Sequence, residues 1–454
     1  MNPKKTGRRR FLKSSAALAG LAAAGRVLPA SGQQGPPQGA ETPLILPTGN
    51  AVRPLGERSK YEKLVRSGTA TNAMTPLQDL HGNITPTELH FYVNHEGGIL
   101  PDLDPSKYRL LIHGMVERPL VYTLDELKRM PAISRPYFLE CGSNGNPNRA
   151  KTAKTLEEIH GRTSCVEWTG VPLAVLLKEA GVKSGAGWVI AGAFDTSGHS
   201  SSLPIEKAMG DALVAYAMNG EALRLESGYP VRLLLPGYYG RITVKWLNQL
   251  KVTDQPTMST QDRHVHVDHS PAGEGAFLMT TEQARQMQLA VYSKSVITYP
   301  SGGHKISSHG YCEISGLAWS GGGKVKRVEV STDGGKTWKD AKLPDTVHPC
   351  AHTRFRFPWT WNGEEAVIMS RCTDENGDVQ AMASEVEKNW GVDTSKGCTE
   401  VLGEDCNFVP RRTNRAYIQP WRVASDGAVH NAFVMGKEPT DLHGHPEAEG
   451  GGGG

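Results

Sequence analysis

Cys141 is the residue whose setting points most directly to chemistry. It ends the apolar run Tyr137-Phe138-Leu139-Glu140 and opens the loop Gly142-Ser143-Asn144-Gly145-Asn146. A strand that stops at a cysteine before a Gly/Asn loop presents a thiolate at the strand end, with backbone N–H groups free to approach a ligand. The same pattern also describes an ordinary cysteine buried before a turn. A second cluster is Arg263-His264-Val265-His266-Val267-Asp268-His269. On a strand, His264, His266 and Asp268 share one face and carry zinc-ligand atoms. A solvated loop, or one wall of a pocket, fits these residues too. No H-E-x-x-H accompanies them, which weakens a zinc hydrolase reading.

The seven cysteines stand at 141, 165, 312, 350, 372, 398 and 406. None has C-x-x-C spacing and no C-x-x-C-H occurs, so the sequence offers no covalent c-type haem site and no zinc ribbon. Seven is odd. In an oxidising compartment at least one thiol stays unpaired or binds something. With Cys141 set aside, six remain with fifteen possible pairings, of which Cys398 with Cys406 is the most local.

The elements that must position these residues fall into two textures. From about 76 to 255, short apolar strands mix with helices. Thr123 with Glu126 predicts a capped helix start, and Pro172 to Ala180 a helix closed by Gly181. Val231–Leu235 and Val244–Val252 read as buried strands. From 276 to 435 strand-like runs alternate with turns. Lys324–Val330 leads into Asp333-Gly334-Gly335-Lys336, a hairpin signal, and Val367–Cys372 precedes Asp374-Glu375-Asn376-Gly377. Trp421, Val423 and Val429 add late strands. The reading is α+β: a mixed α/β domain followed by an immunoglobulin-like β-sandwich. Residues 31–75 read as a surface arm, and 436–454 as a disordered polar tail.

Hydrophobic residues make up 38% and charged residues 21% of 454, which excludes a multi-span membrane protein and a disordered chain. The net charge of +3 hides an asymmetry: Lys4, Lys5, Arg8, Arg9, Arg10, Lys13 and Arg26 crowd the first 30 residues, where no acid occurs. The rest is mildly acidic, so nucleic acid is not the expected partner. Residues 1–30 have a basic stretch, a short apolar core and small residues near Ala30, the layout of a signal peptide, and no membrane span is expected after its removal. Arg8-Arg9-Arg10-Phe11-Leu12-Lys13 resembles the twin-arginine export motif, a route for proteins already folded in the cytoplasm and often for those with an inserted cofactor, and implies a periplasmic destination.

The Leu139–Asn146 segment resembles the cysteine loop of the sulfite oxidase family of molybdenum enzymes. Further stretches resemble that family in the same order. They are Glu167-Trp168-Thr169-Gly170-Val171-Pro172-Leu173, Tyr216–Leu223, Gly228–Arg232, Pro236–Gly240 and Val244–Leu247. Residues 314–338 resemble its dimerisation sandwich. Together the resemblance covers about 76–435, and within the family it is greatest to the molybdenum subunits that act on sulfane sulfur in thiosulfate-oxidising bacteria. It implies a molybdopterin carrying one molybdenum, with Cys141 as the metal's protein ligand. It further implies that Arg232, Thr243, Val244 and Lys245 hold the cofactor's phosphate end, that Asp195 accepts pterin N–H bonds, and that Asn94 and His95 form an early cofactor loop. Partners implied are a c-type cytochrome as electron acceptor, a sulfur-carrier protein and a second copy bound through the sandwich.

This chain departs from the family at several positions. Val93 and Asn146 stand where enzymes of free sulfite place arginines, and Ser227 replaces a histidine. A tyrosine near the metal is replaced around His266, while Arg354 is expected to supply the sandwich's cation to the pocket. Two missing cations favour a bulkier substrate, sulfane sulfur on a carrier cysteine, over free sulfite. A free-sulfite dehydrogenase and a cofactor-free sulfur-carrier or assembly subunit are the alternatives.

Overall fold

The computed structural model describes residues 58–94, 100–145, 150, 152–194, 199–257, 290–385 and 416–433. Two units divide the chain, Met1–Glu62 and Lys63–Gly454, and the strands and helices of the described residues all lie in the second. The expected signal segment, Cys398, Cys406, the 263–269 cluster and the expected 436–454 tail lie outside the described residues.

Three short strands come first: β1 (Ser67–Thr69), β2 (Asn72–Met74) and β3 (Tyr92–Val93). They form one antiparallel sheet, so part of the expected arm is a hairpin. Gly68, at φ +134, sits where an added Cβ would meet Asn72 O at 2.1 Å, and only glycine permits that closeness.

The next segment runs β4 (Leu110–Gly114), β5 (Leu120–Tyr122), α1 (Leu124–Arg129), β6 (Ile133–Glu140), α2 (Leu156–His160), β7 (Thr163–Pro172) and α3 (Leu173–Ala180). It continues with β8 (Trp188–Ala193), β9 (Ser200–Pro204), α4 (Ile205–Gly210), β10 (Leu213–Met218), β11 (Glu221–Ala222), β12 (Arg232–Leu234) and β13 (Leu247–Thr253). The predicted capping box is present: Thr123 Oγ1 accepts from the Glu126 N–H, and the Glu126 carboxylate accepts from the Thr123 N–H. Gly181 closes α3 in the left-handed region at φ +72.

These strands make two sheets. One has the order β11-β10-β7-β6, with β12 also paired to β10; the other has β5-β4-β13-β8-β9. Strand β7 is buried along nearly its whole length, because apolar clusters pack on both of its faces.

The remaining strands are β14 (Lys294–Tyr299), β15 (Gly310–Trp319), β16 (Val325–Ser331), β17 (Lys339–Asp340), β18 (Thr353–Trp361), β19 (Ala366–Asp374), β20 (Trp421–Val423) and β21 (Val429–Asn431). They form sheets β14-β15-β18 and β17-β16-β19-β20-β21, a β-sandwich as expected. The Asp333–Lys336 turn joins β16 to β17, with Gly334 and Gly335 at positive φ. One apolar cluster includes Phe138 and Trp168 of the first domain together with Trp319, Phe355 and Trp421 of the sandwich. The core is therefore continuous across the junction where β6 ends. Among the described residues, no helix is long and apolar enough to cross a membrane.

Candidate active site

Cys141 follows the last residue of β6, as the sequence predicts, and a turn over Gly142–Gly145 carries the chain away. Asn144 builds this turn from inside. Its N–H donates to Cys141 O at 2.9 Å, its Oδ1 accepts from the Arg162 N–H at 3.0 Å, and its Nδ2 donates to Glu140 Oε1 at 3.3 Å. Gly145, at φ +71, turns its N–H to Ile159 O at 3.0 Å. The loop thus exists because a buried asparagine replaces the missing ladder bonds.

Cys141 differs from the other cysteines that are described. All five are free thiols, so four of the six once open to pairing are unpaired. Cys165, Cys312, Cys350 and Cys372 are buried, and burial pushes their thiols up, to about 12 for Cys165 and about 11 for Cys350. Such thiols are inert. Cys141 alone of the five is partly exposed, with Sγ 3.2 Å from Ser143 Oγ.

A second group of site residues converges on the turns flanking β12. Arg232 is 2% exposed. Its Nη1 donates to Ser227 O at 2.9 Å, and its Nη2 to Thr243 O and Oγ1 at 3.2 and 2.9 Å. Its guanidinium stacks 5.1 Å from the Trp168 ring centroid. Its Nε is buried without a partner, and none of its hydrogen bonds reaches a carboxylate. Burial lowers its pKa to about 9. Lys245 Nζ donates to Val93 O at 3.2 Å and Glu226 O at 3.3 Å and lies over the Trp246 ring. Gly228 admits this approach, since an added Cβ would lie 2.9 Å from Lys245 Cβ. Val244 is buried, its carbonyl accepting from the Leu233 N–H, and Asn94, also buried, donates its N–H to Thr71 O.

The strand expected from Val244 begins only at Leu247. Trp246 takes φ +49, a left-handed turn that breaks the strand and lets Lys245 reach back to β3. The fold therefore gathers Asn94, Arg232, Thr243, Val244 and Lys245 around one electropositive interior. The turn at Tyr239–Gly240 links it to the cysteine strand through a parallel bridge between Glu140 and Tyr239. Arg354 is anchored through its Nε, Nη1 and Nη2, which donate to Gly82 O, Thr298 Oγ1 and Leu80 O, and none of these bonds reaches the cysteine loop. His95, Asp195, His266 and Asn146 lie outside the described residues.

Four participants escaped the sequence reading. His90 lies buried beside the cations, with its Nε2 unpartnered, and its pKa falls to about 3 through burial and then Arg232. Glu140 is paired with Lys294 of the sandwich, and Arg162 reaches the Cys141 loop. Ladder register brings Arg162 near and domain packing brings Lys294, and no local motif announces either.

A buried guanidinium with an orphaned Nε and no carboxylate is unfavourable unless an anion completes it. That suits a phosphate, which Arg binds bidentately. The partly exposed Cys141 suits a soft metal, and among the described residues no three His, Cys, Asp or Glu side chains come together as an alternative metal cluster. The residues present fit a phosphate-bearing cofactor whose metal takes one protein thiolate.

Comparison with known proteins agrees. Residues 97–261 match the oxidoreductase molybdopterin binding domain, and residues 285–392 the Mo-co oxidoreductase dimerisation domain. The chain is 32% identical to a nitrate reductase [NADH] of Ulva prolifera over 323 residues, 64% of this chain and 36% of that protein. It is 33% identical to the mitochondrial sulfite oxidase of Rattus norvegicus over 322 residues, 65% of this chain and 57% of that one. It thus spans only about a third to just over half of these curated relatives. The crystal structure of the sulfane dehydrogenase SoxCD from Paracoccus pantotrophus superposes with a TM-score of 0.73 at 34% identity, covering 89% of this chain and 100% of that chain.

Proposed function

This chain belongs to the sulfite oxidase family of molybdopterin oxidoreductases, and we propose that it is a periplasmic molybdenum enzyme that oxidises a sulfur substrate and passes the electrons to a c-type cytochrome. The observation that carries the reading is Arg232, a buried cation completed by no carboxylate among the described residues, in the same domain as the partly exposed Cys141. Arg232, Thr243 and Lys245 would hold the cofactor's phosphate end, and Cys141 its metal. When bound, the cofactor supplies the two-electron redox chemistry.

The chain's own residues perform the rest. Arg232 and Lys245 neutralise the phosphate in an interior where water cannot compete. Asn144 holds the Cys141 turn rigid through three hydrogen bonds, so the sulfur keeps one orientation. Water provides the oxygen, with two electrons and two protons leaving per oxygen atom added, and the electrons pass to the c-type cytochrome.

The substrate we favour is sulfane sulfur on a carrier-protein cysteine. Val93 supports it, for its carbonyl holds Lys245 while its apolar side chain packs on the core, where a sulfite-binding arginine is expected. Free sulfite is the second reading, supported by the likeness to sulfite oxidases. A homodimer through the sandwich and export through Arg8 and Arg9 complete the proposal.

The test uses protein exported from a molybdopterin-making host. One molybdenum per chain is expected, with rapid cytochrome reduction from carrier-bound sulfane sulfur and slow turnover of sulfite. A metal-free product refutes the enzyme, and a micromolar KM for sulfite transfers the assignment to the second reading. Replacing Arg8 and Arg9 by Lys should leave a cytoplasmic precursor, and active periplasmic enzyme from that variant would refute the export route.

A further inference from the structure

Cys141 and Arg162 face each other one step beyond the last pair of the β6–β7 ladder, Glu140 with Thr163. The Cys141 N–H donates to Arg162 O at 3.0 Å, and the Arg162 N–H donates to Asn144 Oδ1 at 3.0 Å. Both backbones are therefore fixed before either side chain is considered. The Arg162 side chain then returns to the loop, where its Nη1 donates to Ser143 Oγ. Ser143 Oγ in turn lies 3.2 Å from Cys141 Sγ.

The direction of these bonds follows from the groups themselves. A guanidinium has only donors, so Ser143 Oγ accepts from Arg162. The hydroxyl keeps a single proton, and the sulfur is the neighbour left to receive it. A sulfur bound to metal is a thiolate and can only accept. Arg162 makes no bond to a carboxylate among the described residues, and its Nε is buried without a partner. Its charge, met by no carboxylate among the described residues, polarises the Ser143 hydroxyl.

We propose that Arg162 and Ser143 form a relay that holds a hydrogen bond on the Cys141 thiolate and thereby raises the reduction potential of the metal it ligates. A hydrogen bond to a ligating sulfur draws electron density from it, which favours the reduced, more electron-rich metal. Ser143 and Arg162 are positioning residues in this scheme, acting through Cys141. The inference rests on the reading of Cys141 as metal ligand.

The experiment uses the full chain as holoenzyme, with Ser143→Ala, Ser143→Thr and Arg162→Met beside the native protein. Molybdenum per chain is measured first, then the midpoint potential of the metal in an EPR-monitored redox titration. The expected result is native metal content throughout. The potential should fall in Ser143→Ala by an amount equal to about a tenfold change in the one-electron equilibrium, about 59 mV. Arg162→Met should shift it the same way by less, and Ser143→Thr, which keeps the hydroxyl, should stay native. An unmoved potential in metal-loaded Ser143→Ala overturns the relay, as does a Thr variant that shifts as far as Ala. A merely structural role would lower the unfolding midpoint without moving the potential. Should Ser143→Ala fail to accumulate, an unmoved potential in Arg162→Met overturns the relay instead. A native protein without molybdenum would overturn the reading of Cys141 itself, an outcome distinct from all of these.

Discussion

Lys294, the first residue of the sandwich's β14, forms an ion pair with Glu140, the last residue of β6, with side chains 1% and 0% exposed. The second carboxylate oxygen, Oε2, accepts from Trp319 Nε1 at 2.6 Å. The pair thus joins the two domains immediately behind the cysteine, inside a continuous apolar core.

Breaking this pair from one side strands a buried charge, so Lys294→Met should lower unfolding free energy by about 3–5 kcal/mol. Combining it with Glu140→Gln removes the stranded charge and should recover part of that loss. Urea unfolding of the four proteins of the cycle measures both. Additive losses would show that the pair is not coupled.

His352 predicts an acid limit to stability. Burial, and then Arg354, lower its pKa from 6.5 to about 3, and its ring stacks on Phe138 at 6.2 Å. Between those values the unfolded chain binds the proton and the folded chain does not. Stability from this group is therefore complete above pH 6.5 and is lost as pH falls towards 3, at about 1.4 kcal/mol per pH unit. His352→Phe should reduce the slope of unfolding free energy against pH by that amount between pH 4 and 6. A variant with the native slope would remove His352 from the account.

The sequence makes the cysteine loop legible because it is local: an apolar run, a thiol and a Gly/Asn turn occupy ten consecutive residues. The cation turn is legible only through resemblance, for nothing in Arg232 or Lys245 alone distinguishes them from surface charges. Arg162 and Lys294 are illegible for a physical reason. They meet the loop through ladder register and domain packing, across 19 residues to Ser143 and 154 residues to Glu140. Trp246 shows the complementary failure, since its apolar neighbours predict strand while a left-handed φ breaks it.

Arg354 tests how such a resemblance transfers. Its guanidinium holds Leu80 O, Gly82 O and Thr298 Oγ1, and its N–H holds Asn83 Oδ1. Arg354→Lys cannot reproduce the fork. It should cost about 1–3 kcal/mol in urea unfolding while leaving the KM for the sulfur substrate near native. A raised KM with an unchanged unfolding midpoint would put Arg354 in the substrate pocket instead.

Cys141 and Arg232 should fail in different ways, because they would hold opposite ends of the cofactor. Cys141→Ser replaces a soft donor by a hydroxyl, so turnover should vanish while the fold, followed by circular dichroism, stays native. Arg232 is untouched in that variant, so the pterin should remain, detectable by the fluorescence of its oxidised form after denaturation. Arg232→Met keeps the thiolate but removes the buried guanidinium. Loss of one or two charge-assisted bonds, each worth about 1.5–3 kcal/mol, should weaken cofactor retention by roughly 10- to 10⁴-fold. Pterin and molybdenum should then fall together, and activity per remaining molybdenum should stay near native. The same variant removes an uncompensated buried charge, so its cofactor-free form should unfold no earlier than the native cofactor-free chain. If Arg232→Met retains the full pterin content, the phosphate does not sit against Arg232. If Cys141→Ser turns over sulfur substrate at the native rate, the metal is not held by Cys141.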